Sequence, residues 1–241
     1  MDWRGEAILL SARPHGEAAA IVDLLTEARG RHAGVVPGGA GRRMAAVLQP
    51  GAQLAVAWRA RTEAQIGTCT VELLRPRAAA LLADPAALAA LAAACALIAR
   101  ALPERAPYPG LYRATLVLLD ALAELPDWPL LYLHWELRLL AEIGFALEID
   151  RCALSGATTG LAHVSPRTGR AVTAAAAGRW SDRLLPLPAC LTAAGGPASP
   201  AAIAQGLALT GHFLARALAP DSAARPLPEA RARLAAALAR R

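Results

Sequence analysis

Ala7-Ile8-Leu9-Leu10-Ser11 and Ala20-Ile21-Val22-Asp23-Leu24-Leu25 are the first two apolar runs of the chain, and reading them as strands decides the fold of its first third. Each run is short for a helix and is bounded by Gly, Pro or charged residues. Ala33–Val36, Leu54–Trp58 and Cys69–Leu74 repeat the pattern, so five short strands are predicted within residues 1–78. Gly16, Gly30, Gly34, Gly38, Gly39, Gly41, Gly51 and Gly67 supply the turns and close approaches of a tightly curved sheet. Five strands in so short a length fit a small closed or nearly closed barrel.

Outward from that region the composition changes. Asp84-Pro85 has the form of a helix cap with proline in the first turn, opening an Ala/Leu helix to about Leu102. A break at Pro103–Pro109 precedes a second helix over Leu111–Leu125, and a third follows Trp128-Pro129 to about Ile143. On that third helix Leu130, Leu133, Leu137 and Leu140 share a face, Tyr132, Leu139 and Ile143 an adjacent one, and His134, Arg138 and Glu142 form the polar stripe. Glu136 falls on the apolar side, where a carboxylate needs either a charge partner or a solvent channel. A Gly/Pro-rich insertion at about 146–198 carries two possible short strands, Leu161–Val164 and Ala171–Val172. Ser199-Pro200 caps another helix to about Ala219, and Glu229–Arg241 forms the last, with Leu234 and Leu238 on its docking face.

The 241 residues are 56% hydrophobic but only 4% aromatic, which predicts an ordered chain with close-packed, Ala-rich helices. The net charge of +6 rests on arginine alone, because the chain has no lysine. Residues 1–78 hold 10 Arg against 7 acids (+3), residues 79–220 hold 10 against 10, and residues 221–241 hold 5 against 2 (+3). An anionic partner is thus favoured at both ends of the chain. The opening residues have no basic leader followed by an apolar run, and Ala86–Leu102 is too short for a membrane span, so a cytoplasmic protein without a membrane partner is expected. Cys69, Cys95, Cys152 and Cys190 are too far apart for a disulfide scaffold or a two-pair zinc knuckle.

Several segments resemble the RecO family of recombination mediators. They are Gly5–Ser11, Pro14-His15-Gly16-Glu17, Leu24–Glu27 through Gly30-Arg31, Gly38-Gly39 with Arg42-Arg43, and Leu48–Gly51. Further on they are the central helix Tyr132–Leu140 leading into Gly144-Phe145, then Cys152, Val164–Pro166, Gly169–Val172 and Leu184-Leu185. The resemblance implies an α+β, mainly helical protein: an N-terminal OB-fold β-barrel as DNA-binding domain over 1–78, then an all-helical domain over 79–241 interrupted by the insertion. It implies annealing of complementary strands and assisted recombinase loading in recombinational repair, at the nucleoid. The implied partners are single- and double-stranded DNA, RecR, and the acidic C-terminal tail of the single-stranded DNA-binding protein. Many members hold zinc on four cysteines in the insertion. Here Cys152 is followed three residues later by Ser155 and no cysteine lies near Gly169–Thr173, so no metal or other cofactor is expected.

Arginine makes bidentate contacts to phosphate, which makes Arg13, Arg31, Arg42, Arg43, Arg59 and Arg61 the DNA-binding candidates of the barrel. Arg42-Arg43 adjoin Gly38–Gly41, read as a mobile loop. Arg231 and Arg233, with Arg240 and Arg241, offer a second patch or favour the helix C-terminus electrostatically, and each candidate arginine of the barrel taken singly reads more readily as solvated surface. Trp3 and Trp58 are the only aromatics of residues 1–78, so stacking there is expected to contribute little. A groove for an acidic, apolar-ended peptide would draw on Arg113, Tyr132, Trp135, Arg138 and Leu139, whose alternative reading is ordinary interhelical core. The five histidines lie in separate segments, Gly38–Arg43 lacks the Gly-Lys-Ser/Thr ending of a phosphate loop, and no serine sits in a nucleophile elbow, so enzymatic activity is not expected. A protein-binding adaptor without DNA activity is the rival class, and an enzyme with an unfamiliar pocket a more distant one.

Overall fold

The computed structural model describes residues 1–62, 65–219 and 226–240. It divides into two compact units, Met1–Glu124 and Leu125–Arg241.

The first unit is built on the five expected strands: β1 (Asp2–His15), β2 (Ala19–Thr26), β3 (Gly30–Val36), β4 (Gln53–Arg59) and β5 (Gly67–Arg75). Their order is β1-β2-β3-β5-β4, and β4 pairs back onto β1 to close the ring. All pairings are antiparallel except the two-residue parallel seam between β3 and β5, Gly34↔Gly67 and Val35↔Thr68. Period-two alternation turns Leu9, Val22, Leu24, Leu54, Val56, Trp58 and Cys69 inward to form the barrel core. The seam depends on its first pair being glycines. A Cβ on Gly34 would stand 2.1 Å from Cys69 Sγ, and one on Gly67 would stand 2.1 Å from the Trp58 ring. The missing side chains make room for the indole of Trp58, whose Nε1 donates to Ala33 O at 3.0 Å.

Between β3 and β4 lies a short helix, α1 (Arg42–Val47). After β5 come α2 (Pro85–Ala101), capped by Asp84 accepting from the amides of Ala86 and Ala87, and α3 (Pro109–Glu124). Both helices belong to the barrel's compact unit. Arg77 explains part of that: its buried guanidinium bonds Asp120 of α3 (2.7 Å), the Gly51 carbonyl (3.1 Å) and Gln53 of β4 (3.0 Å).

The second unit corrects the expectation of an all-helical domain. Beside α4 (Trp128–Glu142), α6 (Pro200–Ala217) and α7 (Glu229–Leu238) it contains a four-stranded sheet, ordered β6-β8-β7-β9. These strands are β6 (Glu148–Cys152), β7 (Leu161–Val164), β8 (Arg170–Thr173) and β9 (Leu185–Pro186). The central pair, β7 and β8, coincides with the two short runs of the insertion, and the turn between them closes through Gly169 N to Ser165 O at 2.9 Å. β6 and β9 gave no sequence signal, because β6 sets Asp150 and Arg151 side by side between Ile149 and Cys152 and so breaks the alternation, and β9 spans two residues ending in proline. After β8 comes the single turn α5 (Ala174–Ala177), capped by Thr173, and then a 3₁₀ segment, Gly178–Arg183.

Glu136 of α4 is fully buried and charge-paired. Arg231 of α7 grips it twice, Nε to Oε1 at 2.7 Å and Nη2 to Oε2 at 2.9 Å, while also donating to Leu207 O at 2.7 Å. Thr210 of α6 adds a hydroxyl bond to the same carboxylate at 2.5 Å. Three helices thus meet on one buried ion pair with its polar atoms satisfied. The leucine face expected of α7, Leu234 and Leu238, is buried beside it. The bounds of α7 end at Leu238, and Arg241 lies outside the described residues.

Candidate nucleic-acid interface

The strand register separates the arginines of the barrel into two groups. Asp2↔Arg59 and Trp3↔Trp58 set Arg59 at the start of β1, and Ala60 N donates to Met1 O (2.9 Å), which brings Arg61 to the same end. Arg13 is paired opposite Ile21 near the other end of β1, and the Val36↔Ala20 pair carries the β3–α1 connection, with Arg42 and Arg43, to that same end. The six candidates therefore do not form one track. Gly38–Gly41 is also not the free loop expected. Ala40 N donates to Ala18 O (3.0 Å) and Gly41 N to Gly38 O (3.0 Å), and Arg42 and Arg43 begin α1, exposed.

At the Trp3 end lies a concavity of the unit. A cavity of about 460 Å³ is lined by Met1, Asp2, Trp3, Ala28, Arg29, His32, Trp58 and Arg105. A second depression of about 380 Å³ shares Trp3 and adds Arg4 and Arg59. Its floor is an aromatic cluster: Trp3 and Trp58 lie stacked at 6.0 Å, and His32 meets both edge-on at 5.5 and 5.7 Å. Those rings are buried against one another, so the floor is closed and the cations stand at the rim. Arg29 lies 5.9 Å over Trp3. Burial lowers the pKa of His32 from its ordinary value, and the Arg105 and Arg29 guanidiniums push it further the same way. The imidazole is therefore neutral and the positive charge of the site resides in arginine.

Sequence reasoning missed Arg4, Arg29 and Arg105. The first two had a local signal, a cation beside Gly5 and beside the tight turn at Gly30. Arg105 had none. It is carried to the barrel by a parallel bridge, Arg31↔Glu104, and by its own amide donating to Arg31 O at 2.8 Å. Ion pairs among the described residues take up Arg31, Arg75, Arg77, Arg113, Arg138, Arg170, Arg231 and Arg233, and leave Arg4, Arg13, Arg29, Arg42, Arg43 and Arg59 unneutralised. All six of the latter are exposed.

Several expected contacts are corrected. Arg31 is held inside its own unit by Asp23 (3.1 Å), the Ala99 carbonyl (2.7 Å) and Glu104 (3.6 Å). Arg231 is 7% exposed and committed to Glu136, so it presents no charge to DNA. Arg233 is exposed and pairs with Glu229 along the helix (2.9 Å). The peptide groove loses its floor, since Tyr132, Trp135 and Leu139 are buried in α4. Arg138 on the outer face pairs with Glu142, while Arg113, on α3 of the other unit, pairs with Glu27. For a zinc ion of the four-cysteine kind the residues do not fit. Cys152 Sγ accepts from the amides of Thr173 (3.4 Å) and Ser155 (3.5 Å), and among the described residues no three of His, Cys, Asp or Glu gather as ligands.

Comparison with known proteins bears on the whole chain. Residues 1–77 match the family model described as "Recombination protein O N terminal", and residues 82–226 match "Recombination protein O C terminal". A DNA repair protein RecO of Cereibacter sphaeroides is 56% identical over 240 residues, covering all of both chains. The RecO of Dinoroseobacter shibae is 54% identical over 240 residues, spanning all of this chain and 99% of its own. That of Roseobacter denitrificans is 52% identical over the full length of both.

Proposed function

Because the chain belongs to the RecO family of DNA repair and recombination proteins, we propose that it binds DNA through its barrel, anneals complementary strands and assists recombinase loading, acting by contact rather than by bond making. The observation that carries this reading is the set of exposed arginines at the Trp3 end, Arg29 on the first cavity and Arg4 and Arg59 on the second, which no ion pair among the described residues neutralises. Cations with no ion-pair partner among the described residues are available to phosphates, and the closed aromatic floor favours backbone tracking over base stacking at that place. The five-stranded, Greek-key-like pairing of the barrel supports reading residues 1–78 as an OB-fold DNA-binding domain, with the mainly helical remainder over 79–241 following it. Arg13, Arg42 and Arg43 at the opposite end would serve a second length of strand, and Arg61 the same stretch as Arg59. RecR and the acidic tail of the single-stranded DNA-binding protein belong to the same proposal, with Arg138 as the cation left exposed on α4. So does a place of work in the cytoplasm at the nucleoid. Among the described residues no helix is long and apolar enough to cross a membrane.

The test is fluorescence-detected annealing of complementary single strands across a salt series, with Arg29→Ala/Arg59→Ala and Arg42→Ala/Arg43→Ala variants alongside. Acceleration by the parent that falls in the first variant supports the Trp3 end as the contact. Loss only in the second moves the contact to the α1 end. No strand binding by the parent at low salt leaves the protein-binding adaptor as the better reading.

A further inference from the structure

Five tryptophans occur in the chain, and four are at most 9% exposed: Trp3, Trp58, Trp128 and Trp135. Trp180 is 49% exposed. A tryptophan adds little to a core from that position, and in so aromatic-poor a sequence its open surface calls for another account. It stands in the 3₁₀ segment Gly178–Arg183, with the Arg179 guanidinium lying over its ring at 5.2 Å from the centre and the Arg183 guanidinium over it at 5.0 Å, cation–π contacts that a base taking the ring face would replace as the guanidiniums turn to phosphate. Both arginines are exposed, and neither enters an ion pair among the described residues. The segment is a firm mount. It follows β8 and α5, whose Ala171, Val172 and Ala177 are buried, and it closes through Leu184 N to Ser181 O at 3.0 Å.

Resting on the DNA-binding reading above, we propose that Trp180 is a stacking platform for an unpaired base of single-stranded DNA, with Arg179 and Arg183 holding the adjoining phosphates. The barrel supplies charge but has its tryptophans packed face to face, and this segment supplies the open aromatic surface that the barrel lacks. Every base has a π-face, so such a platform takes single strands with little sequence preference. Duplex DNA keeps its bases stacked on one another and gains only the phosphate contacts. Two cations beside an aromatic ring are matched to a polyanion with exposed rings.

The full-length protein is titrated with a 20-nucleotide oligothymidylate and with an abasic strand of equal length, which carries the same phosphates without bases. Tryptophan emission is read throughout, and because the other four indoles are buried, its iodide-quenchable fraction reports Trp180. The expected result is that the parent prefers oligothymidylate, that binding shields the quenchable fraction, and that Trp180→Ala weakens oligothymidylate binding roughly 5- to 150-fold while abasic binding stays unchanged. Trp180→Phe should recover part of the preference. Arg179→Ala/Arg183→Ala should weaken both strands. Equal binding of the two strands by the parent, or an unchanged preference in Trp180→Ala, overturns the platform and leaves the DNA-binding reading standing. Failure of the parent to bind either strand overturns both.

Discussion

Arg231 illustrates how a single residue can be read correctly as a cation and wrongly as a contact. Its position in an arginine-rich terminus suggested phosphate, yet its guanidinium satisfies Glu136 and the Leu207 carbonyl inside the second unit. Removing one member of a buried pair strands the other, so Arg231→Ala should cost about 3–5 kcal/mol in urea unfolding, and Glu136→Leu/Arg231→Met should cost much less. His32 sets a second prediction at this scale. The unfolded imidazole takes its proton near 6.5, whereas burial and the flanking arginines depress its affinity in the fold. The unfolded chain then binds more protons in acid, so this contribution is complete above pH 6.5 and is lost as pH falls through the lower folded value. Stability measured by urea at pH 7.5 and 5.5 should therefore drop less in His32→Phe, which keeps a ring against Trp3 and Trp58, than in the parent.

Among the elements, the parallel seam of β3 and β5 governs whether the barrel closes. Gly67→Ala drives a methyl into the Trp58 ring, which sits 4% exposed and tied to Ala33 by its Nε1. The change should destabilise the unit by about 1–3 kcal/mol in urea unfolding, and Gly5→Ala, whose added Cβ meets nothing within 4 Å, serves as the control. The five strands were legible because each carries a short apolar run bounded by Gly, Pro or charged residues, and α2 and α6 because Asp84-Pro85 and Ser199-Pro200 are strong caps. β6, β9 and α1 were not, since each takes its shape from neighbours remote in sequence. The same reasoning explains the site. Arg59 was found as an arginine of the barrel region, while Arg105 is brought there by the Arg31↔Glu104 bridge and its amide bond to Arg31 O, pairings no local pattern announces. Trp180 escaped notice because exposure is a tertiary property, and nothing in Gly178–Arg183 distinguishes an outward indole from an inward one.

For the whole molecule, the proposed contacts divide by chemistry, and that division can be measured. Phosphate contacts release counterions and so appear in the salt slope, whereas stacking contributes affinity with little salt dependence. If Arg29 and Arg59 each neutralise one phosphate of a single strand, Arg29→Ala/Arg59→Ala lowers the slope of log K against log salt by about 1.4, at roughly 0.7 per contact. The preference for oligothymidylate over the abasic strand should be untouched in that variant, because no base contact has been removed. Trp180→Ala should behave in the opposite sense, with the slope retained and the preference lost. A variant pair that altered both quantities together would mean that the two surfaces engage the strand only jointly. Independent losses would mean that a protein of modest net charge, +6 over 241 residues, reads single strands through separate electrostatic and aromatic contacts carried on different compact units.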